Sequence, residues 1–175
     1  IKLFFFSSLW VSTTFNSFAT PREKVVSIDT GTGKLEGTLL INDLKGSKTV
    51  ALIIAGSGPT DRDGNTPTMI NNSLKMLADE LAKIGVSSLR YDKRGIGESK
   101  DSGLKENELR FDNYINDANS WVEYLRNLSN FNKIIVIGHS EGALIGMVAS
   151  QQKNVDKFIS IAGAGQPIDQ TIRDQ

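Results

Sequence analysis

A serine flanked by glycines, placed between an apolar strand and an apolar helix, constrains this chain more than any other feature. Residues 138–142 read G-H-S-E-G, directly after the β-branched run 134–137 and before the apolar segment 143–148. A G-x-S-x-G sequence in this setting forms a strained strand-to-helix turn, whose glycines avoid collisions between a Cβ and neighbouring backbone. The turn lifts the serine hydroxyl above the sheet, where the N-terminal N–H groups of the helix also point. Ser140 is therefore a candidate nucleophile, and the alternative is an ordinary turn with a serine N-cap.

Strand and helix patterns alternate along the rest of the chain. Continuous apolar runs such as 49–55 are typical of strands covered on both faces, whereas Leu74, Leu77, Leu81 and Ile84 recur at helical spacing. We predict strands over 24–29, 35–41, 49–55, 86–91, 133–137 and 155–162, and helices over 74–84, 115–125 and from 143 onward. This order predicts the α/β class: a mostly parallel sheet with helices on both faces and an N-terminal antiparallel hairpin.

Composition and charge exclude several classes of site. Lys plus Arg and Asp plus Glu each number 20, which gives no electrostatic reason for a nucleic-acid partner. The chain has no cysteine and 1 histidine, so it forms no disulfide or thiolate metal site, and we predict no metal and no cofactor. Gly56-Ser57-Gly58 follows a buried strand as in a dinucleotide-binding turn. Asp61 stands where the third glycine is needed, which argues against a nucleotide site.

The segment 1–19 differs from the rest of the chain. Lys2 precedes an apolar stretch over 3–11, and Ser17 and Ala19 place small residues at the two positions that a signal peptidase reads. The stretch is too short and too interrupted by Ser and Thr for a stable membrane span. The pattern predicts a signal peptide over 1–19, and hence a secreted or periplasmic protein. An N-terminal anchor or an apolar tail is the alternative.

Three separate segments of the chain carry recognisable motifs. They are A-G-S-G-P-T-D-R-D-G at 55–64, Y-D-K-R-G-I-G-E-S at 91–99 and the turn at 138–142. Together they resemble the α/β-hydrolase superfamily, in particular its bacterial esterases and serine-peptidase-like hydrolases. The resemblance covers 25–165, and it implies that residues 20–175 form the N-terminal part of an α/β-hydrolase domain.

The resemblance also implies how Ser140 would be assisted. In the family, a backbone N–H from the loop after the third strand and the N–H of the residue after the nucleophile stabilise the oxyanion. The matching donors here are Ser57, with Gly58 as a fallback, and Glu141.

Two charged segments near these residues are harder to assign. The D-K-R-G-x-G-x-S segment at 92–99 resembles the family's tight turn after the fourth strand and is expected to be structural, because its glycines and aspartate suit turn chemistry. Asp61-Arg62-Asp63 could tie the oxyanion loop down through an ion pair or line the pocket. As a default we expect these charges to be solvated and to contribute little.

A general base for Ser140 is not evident in the chain. The single histidine, His139, adjoins Ser140, and neighbouring side chains on a sharp turn point apart, so we expect it to pack beneath the turn. The family order of nucleophile, acid and histidine places both partners after Ser140, where no histidine occurs. We therefore expect a truncated α/β-hydrolase fold without its last strands, lid, triad acid and triad histidine. Such a fragment should be inactive by itself.

The predicted function follows from the nucleophile. A serine of this kind indicates a serine hydrolase that acts on carboxylic esters through an acyl-enzyme, with small-molecule esters, thioesters or peptides as substrates. The alternative is a non-catalytic, hydrolase-like protein that binds a ligand or partner in the residual pocket.

Overall fold

Six strands form one sheet in the computed structural model, which describes residues 21–173 except for 43, 45, 103 and 104. The strands are β1 (Arg22–Asp29), β2 (Lys34–Ile41), β3 (Thr49–Ile54), β4 (Ser87–Tyr91), β5 (Lys133–His139) and β6 (Lys157–Ile161). All of the predicted strands are confirmed, although β6 is shorter than the predicted 155–162. The predicted signal peptide at 1–19 lies outside the described residues.

Helices alternate with the later strands. They are α1 (Ser73–Lys83), α2 (Phe111–Asn127), α3 (Glu141–Gln152) and α4 (Ile168–Arg173), with short 3₁₀ turns at Gly97–Ser99 and Glu106–Glu108. The first three confirm the predicted helices. The α4 helix and the 3₁₀ turns were not predicted, because segments of three to six residues are too short to show a hydrophobic period.

The sheet is antiparallel at one end and parallel through the rest. Its order is β1-β2-β4-β3-β5-β6; the β1–β2 and β2–β4 pairs are antiparallel, and the other pairs are parallel. The predicted hairpin is therefore confirmed. Because β4, β3 and β5 are parallel neighbours, the loops that follow them emerge at the same edge of the sheet. That edge carries all three segments that resemble the hydrolase superfamily.

Apolar side chains cover both faces of the sheet, as the α/β class requires. One face packs against α2 and α3 around the buried Leu52, Trp121 and Val136. The other face packs against α1 around Ile53 and Ala78. In the part of the chain that the structure describes, none of the helices has the length and apolar composition that a membrane crossing requires.

Candidate active site

Ser140 occupies the bend between β5 and α3. Its backbone has φ 53° and ψ −120°, a conformation that costs a non-glycine residue about 1–3 kcal/mol and persists only where its surroundings fix it. Two backbone bonds do so. The Ser140 N–H donates to the Ile161 carbonyl at 2.9 Å, and the Ser140 carbonyl accepts from the Ala143 N–H at 2.9 Å. The Ser140 hydroxyl makes no cap hydrogen bond to α3, so an ordinary serine N-cap is not what this turn contains.

Gly138 and Gly142 allow the bend to pack closely. A Cβ added at Gly138 would lie 2.1 Å from the Gly142 carbonyl oxygen. A Cβ added at Gly142 would lie 2.4 Å and 2.5 Å from the carbonyl oxygens of Ile54 and Ala55. These are backbone atoms that cannot move aside cheaply, so the predicted need for glycine at both positions is confirmed. The contact also fixes the start of α3 against the end of β3.

The loop after β3 lies directly against this bend. A Cβ added at Gly56 would be 3.1 Å from His139 Nδ1 and 3.2 Å from Ser140 Cβ, so the Gly56–Ser57 peptide borders Ser140. The loop turns at Gly58, whose φ is 72°. This loop, residues 55–66, is called the oxyanion loop below, after the role that the family resemblance implies for it.

The structure brings the three predicted site residues together. Ser57 and Ser140 line one cavity of about 190 Å³, and Glu141 is the first residue of α3. The Glu141 N–H belongs to the first turn of a helix, where N–H groups lack an intrahelical acceptor. Thr60, Thr66, Met69, Asn71 and Leu74 are among the other lining residues. The cavity can therefore hold a small group beside the Ser140 hydroxyl, with polar and apolar contacts.

The predicted position of His139 is wrong. Its side chain is exposed and lines this cavity instead of packing beneath the turn. Because side chains alternate along a strand, His139 shares the sheet face of Ile135 and Ile137. Those two residues pack with the α1 cluster, whereas His139 ends the strand at the mouth of the cavity.

The default expectation for residues 61–63 is also wrong, because their charges are not simply solvated. The Arg62 guanidinium pairs with the Asp92 carboxylate at 2.9 Å, and the two side chains are 12% and 2% exposed. The Arg62 backbone N–H donates to the same carboxylate at 2.7 Å. The other interpretation, an ion pair that ties the oxyanion loop down, is confirmed: the loop is bound to the turn after β4.

Burial has the largest influence on the pKa of Asp92 in this ion pair. It raises the pKa of Asp92 above its ordinary value, although the N–H groups of Arg62 and Glu98 and the Arg62 charge oppose the shift. The neighbouring Asp63 pairs at 3.0 Å with Arg90 of β4, which is 2% exposed. Across the residues that the structure describes, no group of three or more His, Cys, Asp or Glu side chains could hold a metal ion.

Lys93 is the residue that reasoning from the sequence missed. It lies in the D-K-R-G turn after β4, its side chain is 4% exposed, and it pairs with the Glu141 carboxylate at 3.2 Å. Its ammonium group also donates to the Gly56 carbonyl oxygen. The next residue, Arg94, instead pairs with Asp117 of α2 at 2.6 Å. The sequence signal for Lys93 is weak: it is a lysine two residues after the end of a buried strand.

Comparison with known proteins places this architecture in a family. The family described as serine aminopeptidase, S33, matches residues 71–173, more than half of the chain. The chain is also 28% identical over 141 residues to Esterase EstD of Thermotoga maritima, a match that covers 81% of this chain and 33% of the esterase.

Solved structures show the same fold. The α/β hydrolase GrgF from Penicillium sp. sh18 superposes with a TM-score of 0.66 at 20% identity, over 81% of this chain and 46% of that one. XC6422 from Xanthomonas campestris, an α/β serine hydrolase without a lid, gives 0.64 at 21% identity, over 87% and 66%. The chain thus spans about a third of the curated relative and between about half and two thirds of these two structures. On the match to residues 71–173 and this shared fold, the chain belongs to the serine aminopeptidase (S33) family of the α/β-hydrolase superfamily.

Proposed function

We propose that the full-length protein is a serine hydrolase that cleaves carboxylic esters, with Ser140 as its nucleophile. One observation carries the proposal. Ser140 is held at φ 53° between a strand and a helix, in a cavity that it shares with Ser57. A strained serine at the mouth of a cavity beside unbonded helix N–H groups is an arrangement suited to acyl transfer.

The reaction would proceed in two stages. The Ser140 hydroxyl oxygen attacks the ester carbonyl carbon, and the developing oxyanion accepts hydrogen bonds from the Ser57 and Glu141 N–H groups. The carbon–oxygen bond to the alcohol breaks, the alcohol leaves with a proton, and an acyl-enzyme remains. Water then attacks the same carbonyl carbon, releases the carboxylic acid and restores Ser140.

The identity of the general base that takes the Ser140 proton is also proposed. His139, the single histidine of the sequence, directly precedes Ser140 and lies beside Gly56, and we do not assign the base to it. We assign the triad acid and histidine to a part of the hydrolase domain outside these 175 residues. The lengths of the relatives support this assignment, since the chain covers 33% of the esterase and 46% of one solved hydrolase.

Esters are the proposed substrates because the curated relative is an esterase, although the family description names an aminopeptidase. Comparing p-nitrophenyl acetate with aminoacyl p-nitroanilides on the purified full-length protein tests this choice. Faster turnover of the ester supports it, and cleavage of the anilides alone would contradict it.

Ser140 itself is tested by labelling the full-length gene product with a fluorophosphonate probe. We expect one labelled site in the wild type and loss of labelling in Ser140→Ala. Ser120→Ala is a matched control, because Ser120 lies on α2 and donates to the Asn116 carbonyl, away from the cavity. Undiminished labelling of Ser140→Ala would contradict the proposal. The 175-residue chain alone should label weakly or not at all.

A non-catalytic binding protein is the second candidate. The observation that favours it is that His139 is exposed and lines the cavity, where it is placed to contact a bound ligand. It predicts that the full-length wild type neither labels with the fluorophosphonate probe nor hydrolyses esters.

The location of the protein is also a proposal: residues 1–19 would direct it out of the cytoplasm and be removed after Ala19. N-terminal sequencing of the mature protein, recovered from its cellular fraction, tests that cleavage.

A further inference from the structure

Lys93 connects the two backbone segments that border Ser140. Its side chain follows β4 and is 4% exposed, and its ammonium group lies 5.8 Å from the centre of the Tyr114 ring. The same ammonium donates to the Gly56 carbonyl oxygen and to the Glu141 carboxylate. A charge at this depth requires strong partners, and these two contacts supply them.

The Gly56 carbonyl contact determines where the next N–H points. The carbonyl of Gly56 and the N–H of Ser57 belong to one planar peptide group, in which the two bonds point in opposite directions when the peptide is trans. The chain has no cis peptide bond among its described residues. When Lys93 holds the carbonyl on its own side, the Ser57 N–H must face away from Lys93.

The second predicted donor is oriented in a parallel way. The Glu141 N–H shares a peptide group with the Ser140 carbonyl, which accepts from the Ala143 N–H at 2.9 Å. Backbone within α3 therefore fixes that peptide. The Gly56–Ser57 peptide lies in a loop and has no helix to fix it, so a side chain does the equivalent work.

We propose that Lys93 is a positioning residue that holds the Gly56–Ser57 peptide with its N–H directed at the oxyanion of the reaction. This inference rests on the proposed function of Ser140. Lys93 does not touch the substrate; it acts through the peptide group. Its charge on the carbonyl oxygen also polarises that peptide and strengthens the Ser57 N–H as a donor.

A purely structural role predicts a different outcome. If Lys93 only neutralised Glu141 in a buried pair, its loss would lower stability without changing the turnover of correctly folded molecules. If Lys93 orients an oxyanion donor, its loss should raise the barrier of the chemical step and leave substrate binding nearly unchanged.

The test is Lys93→Met in the full-length protein, which keeps the length and removes the charge and the donors. We expect kcat for p-nitrophenyl acetate, normalised to fluorophosphonate-labelled sites, to fall about 100-fold, as when one oxyanion donor is lost. KM should change less than about 3-fold, because the donor acts mainly on the transition state. The affinity for phenylboronic acid, which forms a tetrahedral adduct with the serine, should fall in parallel with kcat.

Arg94→Met is the matched control. It removes a buried cation from the same turn, but its partner is Asp117 rather than the oxyanion loop. We expect a lower melting temperature and wild-type kcat per labelled site. If Lys93→Met does not fold, Lys93→Leu decides, because leucine also lacks the charge and the donors.

The outcomes separate the two proposals. Wild-type kcat in Lys93→Met or in Lys93→Leu, with labelling intact, overturns the role of Lys93 and leaves the proposed nucleophile unaffected. Equal losses of kcat in Lys93→Met and Arg94→Met also overturn it. If the wild type neither labels nor hydrolyses esters, the proposed function fails first and the role of Lys93 fails with it.

Discussion

The two turns that border the candidate site are fixed in different ways. At the bend around Ser140, backbone packs against backbone, and glycines at 138 and 142 leave no room for a Cβ. The oxyanion loop is instead fixed by charged side chains, through the Arg62–Asp92 and Asp63–Arg90 pairs and the Lys93 contact. One turn is held sterically and the other electrostatically.

This difference follows from where each turn lies. The bend joins β5 directly to α3, so two regular elements enforce its shape. The oxyanion loop, residues 55–66, contains no helix or strand, and it needs contacts with neighbouring segments to hold its shape. We expect the bend to be sensitive to volume and insensitive to pH, and the loop to respond to charge.

The largest expected effect is that of volume at the bend. Gly142→Ala would place a Cβ 2.4 Å from the Ile54 carbonyl oxygen, so α3 would have to shift away from β3. We expect a loss of more than about 3 kcal/mol in the free energy of unfolding, or failure to fold. Chemical denaturation of the full-length protein measures it.

Gly31→Ala is the control for this substitution. Gly31 has φ 78° and nothing within 4 Å of an added Cβ, so it reports only the cost of the left-handed conformation. That cost should be about 1–2 kcal/mol. A similar loss for both variants would show that close packing at the bend is unimportant.

A smaller effect is expected when the loop loses a charge. Arg62→Met leaves the Asp92 carboxylate, 2% exposed, without its partner. We expect a destabilisation of about 3 kcal/mol near neutral pH. The loss should shrink in acid, because a protonated Asp92 no longer needs the partner. Urea denaturation of the variant and the wild type, at neutral and at acidic pH, measures the difference.

Arg173→Met serves as the surface control. Arg173 pairs with Asp169 at 3.1 Å, but the two side chains are 77% and 61% exposed, so the loss should stay below about 0.5 kcal/mol. Equal effects of the two arginine substitutions would contradict an electrostatic hold on the oxyanion loop.

The smallest expected effect is the titration of Asp92. Because burial raises its pKa in the folded protein, the folded state keeps this proton to a higher pH than the unfolded chain does. The resulting stability is complete below the ordinary pKa of about 4 and is lost as the pH rises through the raised value. Asp92→Asn removes this titration. Its free energy of unfolding relative to the wild type should therefore increase from about pH 3 to about pH 7.

Asp156 provides a control of opposite sign, away from the site. The Ile134 N–H donates to its carboxylate at 2.8 Å and holds the pKa of Asp156 below its ordinary value. The stability this gives is present above about pH 4 and is lost as the pH falls through the lowered pKa. Asp156→Asn should therefore lose stability relative to the wild type over the same rise in pH. Slopes of the same sign for both variants would contradict these assignments.

Much of the fold could be predicted from the sequence, because its elements are set by local patterns. Apolar runs such as 49–54 and the glycines of the bend carry their signal in neighbouring residues. The grouping of residues 55–66, 92–99 and 138–142 at one edge of the sheet follows once β4, β3 and β5 are parallel neighbours.

The buried charges could not be predicted in the same way. Arg62 and Asp92 pair across 30 positions of sequence, and Lys93 reaches Gly56 across 37. Charged loop residues are usually solvated, and only the sheet order shows that these are enclosed. The exposure of His139 could not be predicted for a related reason, because it depends on where α1 stops covering the sheet.

The contact of Gly142 with the end of β3 has a consequence for engineering this domain. A chimera of two relatives with a single crossover between residues 56 and 138 would join a strand end from one parent to a helix start from the other. The backbone at Gly142 lies so close to β3 that an added Cβ would be 2.4 Å from the opposing carbonyl oxygen. If the two parents differ slightly in backbone path, the strand end and the helix start would therefore collide there. Residues 54–58 and 138–142 should therefore be exchanged together, as one cassette drawn from two distant stretches of the gene.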